Sequence, residues 1–411
     1  MQRIVVIGAG IVGVSAAIWL RRAGRHVTLV DRAEPGQGTS HGNAGVLASC
    51  SVVPVTVPGL VGKAPRMLLN PDFPLFLRWS YLPRLAPWLA RYLSHANETQ
   101  TRRIASALAH VVGDSVEQHK ALAAGTSAER FIRDSDYVFA YADRSAFEAD
   151  AYGWELRRQA GFTPDLIEGD AVREYDPALG DSIGFLAVMK DHGYILDPGG
   201  YVRALSEEFT RLGGRVLRAS VEDFDLSAGR IGAVLTSEGR LDCDAAVLAT
   251  GVWSKPLMRK LGLTVPLETE RGYHIVFRNP SVQPKAPTMI ASGKFVATPM
   301  ADGLRCAGMV EFGGLDSGPS KAPLELLRRK VAQAFPELTA DEEITWLGHR
   351  PAPADSLPII GEVQQTGVYS AFGHHHVGLT GGPKTGRMVA GMIADIPQNV
   401  DPAPYSPQRF G

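Results

Sequence analysis

Ile4-Val5-Val6-Ile7 runs directly into Gly8-Ala9-Gly10-Ile11-Val12-Gly13. Four branched aliphatics in succession suit a strand buried on both faces of a parallel sheet. The glycines then allow a tight turn, a close backbone approach to a pyrophosphate, and close packing of helix on strand. Val14 to Arg22 (VSAAIWLRR) predicts a helix whose first amides face that phosphate, and Gly24 ends it. His26 to Val30 (HVTLV) gives a second strand closing on Asp31, with Arg32 behind it. An acid at this distance is placed for a ribose hydroxyl. Strand, glycine turn, helix, strand and acid in this order predict a dinucleotide site.

The same alternation of apolar runs and glycine turns returns much later. Leu196-Asp197-Pro198-Gly199 leads into an amphipathic stretch, Tyr201 to Leu212, which Gly213-Gly214 ends. Arg215 to Ala219 reads as a strand followed by Val221, and a hairpin turns through Gly229 and Gly239. Another buried strand, Asp244 to Ala249, ends in Thr250-Gly251 with Trp253-Ser254 behind it. The nucleotide domain is therefore expected to be discontinuous, with its interruptions forming a second lobe. Pro54, Pro58 and Pro65 mark one exit, and a helical stretch is expected from about Leu75 to Ala124. Tyr137 to Tyr141 (YVFAY) and Ile275-Val276-Phe277 supply β-formers for a sheet under the nucleotide domain. A substrate would lie between the lobes.

Composition narrows the partners. A chain of 411 residues favours two lobes, and a formal net charge of -1 lacks the basic field that nucleic acid requires. Cys50, Cys243 and Cys306 are odd in number and far apart, which excludes a disulfide framework or a CxxC pair. Arg3 followed by an apolar stretch to Leu20 has the outline of a signal peptide. Three glycines at this spacing serve no signal core, however, and no cleavage site follows. The expected location is cytoplasmic. Leu75 to Leu93 (LFLRWSYLPRLAPWLARYL) mixes aromatics with arginine, so peripheral contact with the inner face of the membrane stays open beside lobe packing. Pro83 and Pro87 are expected to break that segment.

Five stretches together resemble one family. They are the N-terminal glycine turn, Thr39-Ser40-His41-Gly42-Asn43-Ala44-Gly45, the Ala249-Thr250-Gly251 turn, Gly348-His349-Arg350-Pro351, and Phe372-Gly373-His374-His375-His376-Val377-Gly378-Leu379-Thr380-Gly381-Gly382-Pro383. In this order the chain resembles the D-amino-acid oxidase superfamily of FAD enzymes, and within it the bacterial D-amino-acid dehydrogenases and glycine oxidase. The resemblance implies an α/β fold in which an FAD-binding Rossmann-like domain (1–55, 196–262 and 350–411) interleaves with a sheet-based α+β substrate domain (56–195 and 263–349). It implies FAD contacts at Gly8, Gly10, Ile11, Val12, Gly13, Asp31, Arg32, Thr39, Ser40, Asn43, Ala44, Gly45, Val221, Thr250, Gly251, Trp253, Gly373, His374, Gly378, Leu379 and Thr380.

The family position of Arg350 implies a clamp on a substrate carboxylate, which a planar guanidinium fork grips with two parallel bonds. Tyr273, in Glu270-Arg271-Gly272-Tyr273-His274, matches a position that adds a second carboxylate contact; an ordinary strand tyrosine is the competing reading. His376 falls where relatives line the substrate, while His374 supports the flavin loop. Neighbouring histidines on an extended segment diverge, so no metal is expected. His41 departs from the small residue of the dehydrogenases, which leaves a covalent flavin link open there. The implied reaction oxidises the Cα–N bond of an amino acid, most simply a D-amino acid, by hydride transfer to FAD. Electrons then pass to a quinone or dye-like acceptor. A cis-4-hydroxy-D-proline or opine dehydrogenase, alone or as one subunit of a heteromer, and an oxygen-using oxidase are the alternatives within the family. An NAD-dependent dehydrogenase is the alternative outside it.

Overall fold

A computed structural model describes residues 2–411. Its nucleotide lobe is a six-stranded sheet in the order Ile359–Glu362, Val368–Phe372, Ala245–Leu248, Arg3–Ile7, His26–Asp31, Arg215–Arg218. Neighbours are parallel except at the Ile359–Glu362 edge. The first strand is buried on both faces, as its unbroken aliphatics require. Ile4 and Val6 pack into a core with the helices Ile11–Arg22, Pro198–Arg211 and Gly378–Ala394. Val5 and Ile7 face the opposite core with Phe224, Val234 and Met258. Those residues come from a three-stranded antiparallel sheet (Val221–Ser227, Arg230–Thr236, Gly239–Asp242) and from the helix Ser254–Lys260. Each of these aliphatics contributes about 1.5–3 kcal/mol on burial.

The second lobe is a ten-stranded sheet. Its main path runs Glu342–Pro353, Leu267–Arg278, Gly303–Phe312, Phe295–Met300, Thr288–Ile290, Ile132–Tyr141, Phe185–Ile195 and Val46–Leu47. Leu75–Leu77 and Asp165–Glu168 pair alongside it. Two segments cross the boundaries drawn from sequence. Val46–Leu47 pairs with Tyr194 and Gly193 of the large sheet, and the strand Glu342–Pro353 carries residues 350–353 into it as well.

The prolines behave differently from expectation. Residues 75–124 are not one helical stretch, because Leu75–Leu77 is a strand before the helices Leu82–Ser94, Glu98–Val112 and Ser115–Ala123. Pro83 sits in the first turn of its helix, where a missing N–H is not needed. Pro87 lies inside the same helix and does not end it, and Pro65 is within the helix Leu60–Leu69. Packing holds the Leu82–Ser94 helix across the disruption. Leu85, Trp88 and Tyr92 bury against Phe312, Ala352 and Ala354, and the Trp88 indole N–H donates to the Ala352 carbonyl at 3.0 Å. Among the described residues no helix is long and apolar enough to cross a membrane.

The glycine turn is fixed by sterics. A Cβ on Gly13 would stand 1.8 Å from the Gly8 carbonyl oxygen, and Gly8 itself has φ +104° with Ala249 backbone against it. Gly13→Ala must therefore push the helix off its strand. The expected result is a loss of about 1–3 kcal/mol, read as a lower denaturant midpoint at unchanged slope.

Candidate active site

Between the lobes runs an elongated cavity of about 660 Å³. One end is lined by Val30 to Ala33, Ala219 to Glu222 and Trp253, its middle by Gly8 to Val12 and Gly38 to Ser40. The far end meets Trp346 to Gly348, Phe372 to His375, Gly378 and Leu379, while the His349 ring packs 5.8 Å from that of Trp253. Asp31 closes the first end. Its carboxylate accepts from Ala9 N at 2.6 Å and Ala33 N at 3.0 Å, which leaves further lone pairs for a ribose. Arg32 lies 4.4 Å over the Trp253 ring. The shape suits an extended dinucleotide whose pyrophosphate crosses the glycine turn.

Most of the residues expected at the cofactor line this cavity: Gly8, Gly10, Ile11, Val12, Asp31, Arg32, Thr39, Ser40, Asn43, Val221, Thr250, Gly251, Trp253, Gly373, His374, Gly378 and Leu379. Gly13, Ala44, Gly45 and Thr380 stand behind the lining. Gly13 is pressed on Gly8, Gly45 N donates to the Asn43 side chain at 2.9 Å, and the Thr380 hydroxyl donates to the Val46 carbonyl at 3.2 Å. His41 does not reach the cavity either; its ring lies edge-on to Trp346, 6.1 Å away.

The 40–45 loop owes its orientation to side chains that sequence reading did not single out. Arg305 donates to the carbonyls of His41 and Asn43 at 2.8 and 2.9 Å. His274 Nδ1 donates to the Gly42 carbonyl at 3.1 Å, and Thr298 to the Ala44 carbonyl at 2.7 Å. The large sheet thus holds the loop by its carbonyls, while the amides of His41, Asn43 and Gly45 bond within it. Burial, then the Arg305 charge, lowers the His274 pKa to about 3, so the ring is neutral. Nothing local announces these donors, since they lie more than 230 residues away along the chain.

The helix Gly378–Ala394 points its N-terminus at the far end. Pro383 cannot donate to the Leu379 carbonyl, and His119 Nε2 takes that place at 2.9 Å. His119 Nδ1 accepts from the Tyr201 hydroxyl at 2.9 Å. Burial lowers the His119 pKa to about 4, which keeps one N–H for this role. The partial positive charge of that helix end favours an electron-rich ring beside it.

At the same end the strands Leu267–Arg278 and Glu342–Pro353 pair antiparallel, which sets Glu270 opposite Arg350, Gly272 opposite Gly348, and His274 opposite Trp346. These residues share one face. The Arg350 guanidinium lies flat across Gly272, where a Cβ would stand 2.5 Å from its central carbon. A bulge in Gly303–Phe312 leaves Met309 unpaired with φ +53°, and the carbonyls of Gly308 and Met309 accept from Arg350 at 3.2 Å each. Bulges of this kind re-aim groups at sites. Two of five guanidinium donors are thus engaged, and weakly. Burial lowers the Arg350 pKa while Glu270 opposes that shift.

Tyr273 is not brought to Arg350. Strand alternation sends it to the opposite face, where it is 1% exposed. There its hydroxyl donates to Glu311 at 2.5 Å and accepts from Ser320 N at 3.0 Å. The three histidines diverge. His374 Nε2 bonds the Thr385 hydroxyl at 2.8 Å, and burial lowers its pKa to about 4. His375, held at φ +52°, places Nε2 2.5 Å from Glu270 Oε2. His376 leaves its ring exposed, with Nδ1 2.8 Å from Nδ1 of His375.

A nucleotide cradle on one lobe thus stands against the large sheet of the other, the arrangement of a dinucleotide-dependent enzyme. Residues 3–392 match the family described as FAD dependent oxidoreductase, and the chain belongs to it. It is 39% identical, over 100% of this chain and 99% of the relative, to a D-amino-acid oxidase of Bradyrhizobium diazoefficiens. A D-amino acid dehydrogenase of Sinorhizobium medicae is 28% identical over 100% of both chains. In fold the chain is similar to an L-proline dehydrogenase from P. horikoshii (TM-score 0.74, 20% identity, 100% and 97% of the two chains). It is also similar to glycine oxidase from Bacillus cereus (TM-score 0.72, 20% identity, 97% and 96%).

Arg305→Met removes the donor of two loop carbonyls. Leaving them unpaired costs about 1–3 kcal/mol. The apoprotein should therefore bind FAD roughly tenfold more weakly or worse in a fluorescence titration.

Proposed function

We propose that the protein oxidises the Cα–N bond of a D-amino acid, and that Arg350 binds the substrate carboxylate. The observation that carries this reading is the Arg350 guanidinium itself. It lies flat over Gly272, between His349 and Pro351 of the cavity lining along the strand, with three of its five donors uncommitted. A planar fork held this way offers a carboxylate two parallel charge-assisted bonds. The names of the two relatives, a D-amino-acid oxidase and a D-amino acid dehydrogenase, support the substrate class.

The cofactor contacts are part of the same proposal. The residues at Gly8 to Val12 and Gly38 to Ser40 would hold the pyrophosphate, and Asp31 the ribose. The Gly378 helix end and the 40–45 loop would hold the flavin ring. FAD, when bound, supplies the hydride acceptor. The chain's own part is positioning: fixing the carboxylate on Arg350 holds Cα in near contact, which is worth on the order of 7–11 kcal/mol at best. Arg350→Ala should raise the D-alanine concentration for half-maximal anaerobic flavin bleaching by about 100-fold or more, and Arg350→Lys should restore only part of it. An unchanged concentration in Arg350→Ala overturns the clamp.

For the acceptor we favour a quinone-type or dye-like oxidant over oxygen. The helix Leu60–Leu69 and the following segment expose Val61 (56%), Leu69 (74%) and Trp79 (61%), with Lys63 and Arg66 on the same helix. An apolar and basic surface of this composition suits the face of an anionic bilayer, where quinones reside. Steady-state turnover with a soluble quinone analogue should exceed oxygen consumption. Rapid peroxide formation in air would reverse that assignment.

A further inference from the structure

We propose that Trp346 limits the length of the substrate side chain and confines the enzyme to D-amino acids with short side chains. The inference rests on the reading of Arg350 as the carboxylate clamp and extends it from the carboxylate to the rest of the substrate. Trp346 lines the cavity between the lobes, and it stands two strand positions from Gly348 and four from Arg350.

Strand geometry places the indole beside the clamp. Trp346, Gly348 and Arg350 alternate along Glu342–Pro353 and share a face. Gly348 has no side chain, and the indole covers it: a Cβ there would stand 2.0 Å from Cη2 of Trp346. Arg350 covers Gly272 in the same way at 2.5 Å, and Gly272 is the cross-strand partner of Gly348. Opposed Cβ positions are about 4.5–5.5 Å apart, so the benzo ring and the guanidinium lie within about 10 Å of each other. Both residues keep part of their surface exposed, while Gly348 between them is buried. Two glycines on adjacent strands thus form a floor, with a guanidinium over one and an indole over the other.

The indole cannot retreat. Its ring stacks on His274 at an interplanar angle of 17°, with centroids 5.2 Å apart. The benzo ring is seated against Gly42, where a Cβ would stand 1.9 Å from Cζ3. Both neighbours are themselves tied, since His274 Nδ1 donates to the Gly42 carbonyl at 3.1 Å. His41 lies edge-on to the ring, 6.1 Å away. A new rotamer would have to displace the 40–45 loop, which Arg305 and Thr298 hold by its carbonyls. This ring explains Gly42 and Gly348 together, because a side chain at either would occupy its place.

A rigid wall at this distance acts on length. On the face that carries Arg350, Trp346 and Gly348 are the residues that line the cavity. A substrate with its carboxylate on Arg350 and its α-carbon turned back to the cavity therefore lies along them, its side chain against the indole. A methyl group can rest on such a ring. A longer or branched side chain needs volume that the ring already fills, and a close-packed wall answers added methylenes with strain. One methylene more or less in an apolar pocket is worth about 10–200-fold in kcat/KM.

The test compares D-alanine with D-leucine in anaerobic reduction of the FAD-loaded protein. In wild type the second-order rate constant should be at least about tenfold higher with D-alanine. Trp346→Ala should lower that ratio by about tenfold or more, with the D-leucine constant itself rising. Trp346→Phe keeps a ring on His274 but withdraws the benzo edge, so its ratio should be intermediate; it carries the test if the alanine variant loses FAD. Binding without turnover supplies a second readout. The dissociation constant of α-methyl-D-leucine relative to that of α-aminoisobutyrate, read from the flavin absorbance change, should fall in both variants. A residue that only supports the fold would shift both ligands together. A ratio unchanged in every FAD-loaded variant overturns the inference and leaves the clamp intact, as does a wild type equally fast with both substrates. A wild type that no D-amino acid reduces removes the proposed function and this inference with it.

Discussion

The antiparallel register of Leu267–Arg278 on Glu342–Pro353 decides which side chains surround Arg350. Because side chains alternate with a period of two, a slip of one residue would exchange Glu270, Gly272 and His274 for Arg271 and Tyr273. With the register as it stands, Arg350 lies over Gly272 and Glu270 is its cross-strand neighbour. His274 stacks on Trp346 with ring centroids 5.2 Å apart. The opposite face carries a separate buried network, in which Glu311 accepts from Tyr273 and Ser320 and pairs with Arg271. One strand pair thus sorts its charged residues onto two faces.

The two lobes are tied at the cofactor rather than merely in contact. Sheet residues Arg305, His274 and Thr298 grip the carbonyls of a loop that belongs to the nucleotide half. In return the segment after Phe372 sends His375 into the sheet to meet Glu270. His119 completes the Gly378 helix where Pro383 withholds a donor. The cavity is therefore lined by elements whose positions are fixed from both lobes, the rigidity that a precisely placed site requires.

The nucleotide lobe was legible because its information is local. Ile4 to Val30 contains its own strand, turn, helix and second strand, and the sterics at Gly8 and Gly13 need only neighbouring atoms. The far end was legible in part. Arg350 and the glycine run to Gly382 stood out by their resemblance to family motifs, but the face of each strand was not readable from Glu270-Arg271-Gly272-Tyr273-His274. The motif offered Tyr273, whereas pairing and alternation present Glu270 and Gly272. Arg305 and Thr298 were invisible for a different reason: an isolated arginine or threonine in a strand carries no signal until a loop some 250 residues earlier lies against it. Proline rules misled where packing outweighed them, as at Pro87 beside buried Leu85 and Trp88.

The most direct test of the central claim is a crystal structure of the FAD-loaded protein with α-aminoisobutyrate. This amino acid has no α-hydrogen and therefore cannot be oxidised. The account predicts its carboxylate on the Arg350 guanidinium through two hydrogen bonds. A carboxylate bound elsewhere, with Arg350 still held only by the Gly308 and Met309 carbonyls, would contradict it.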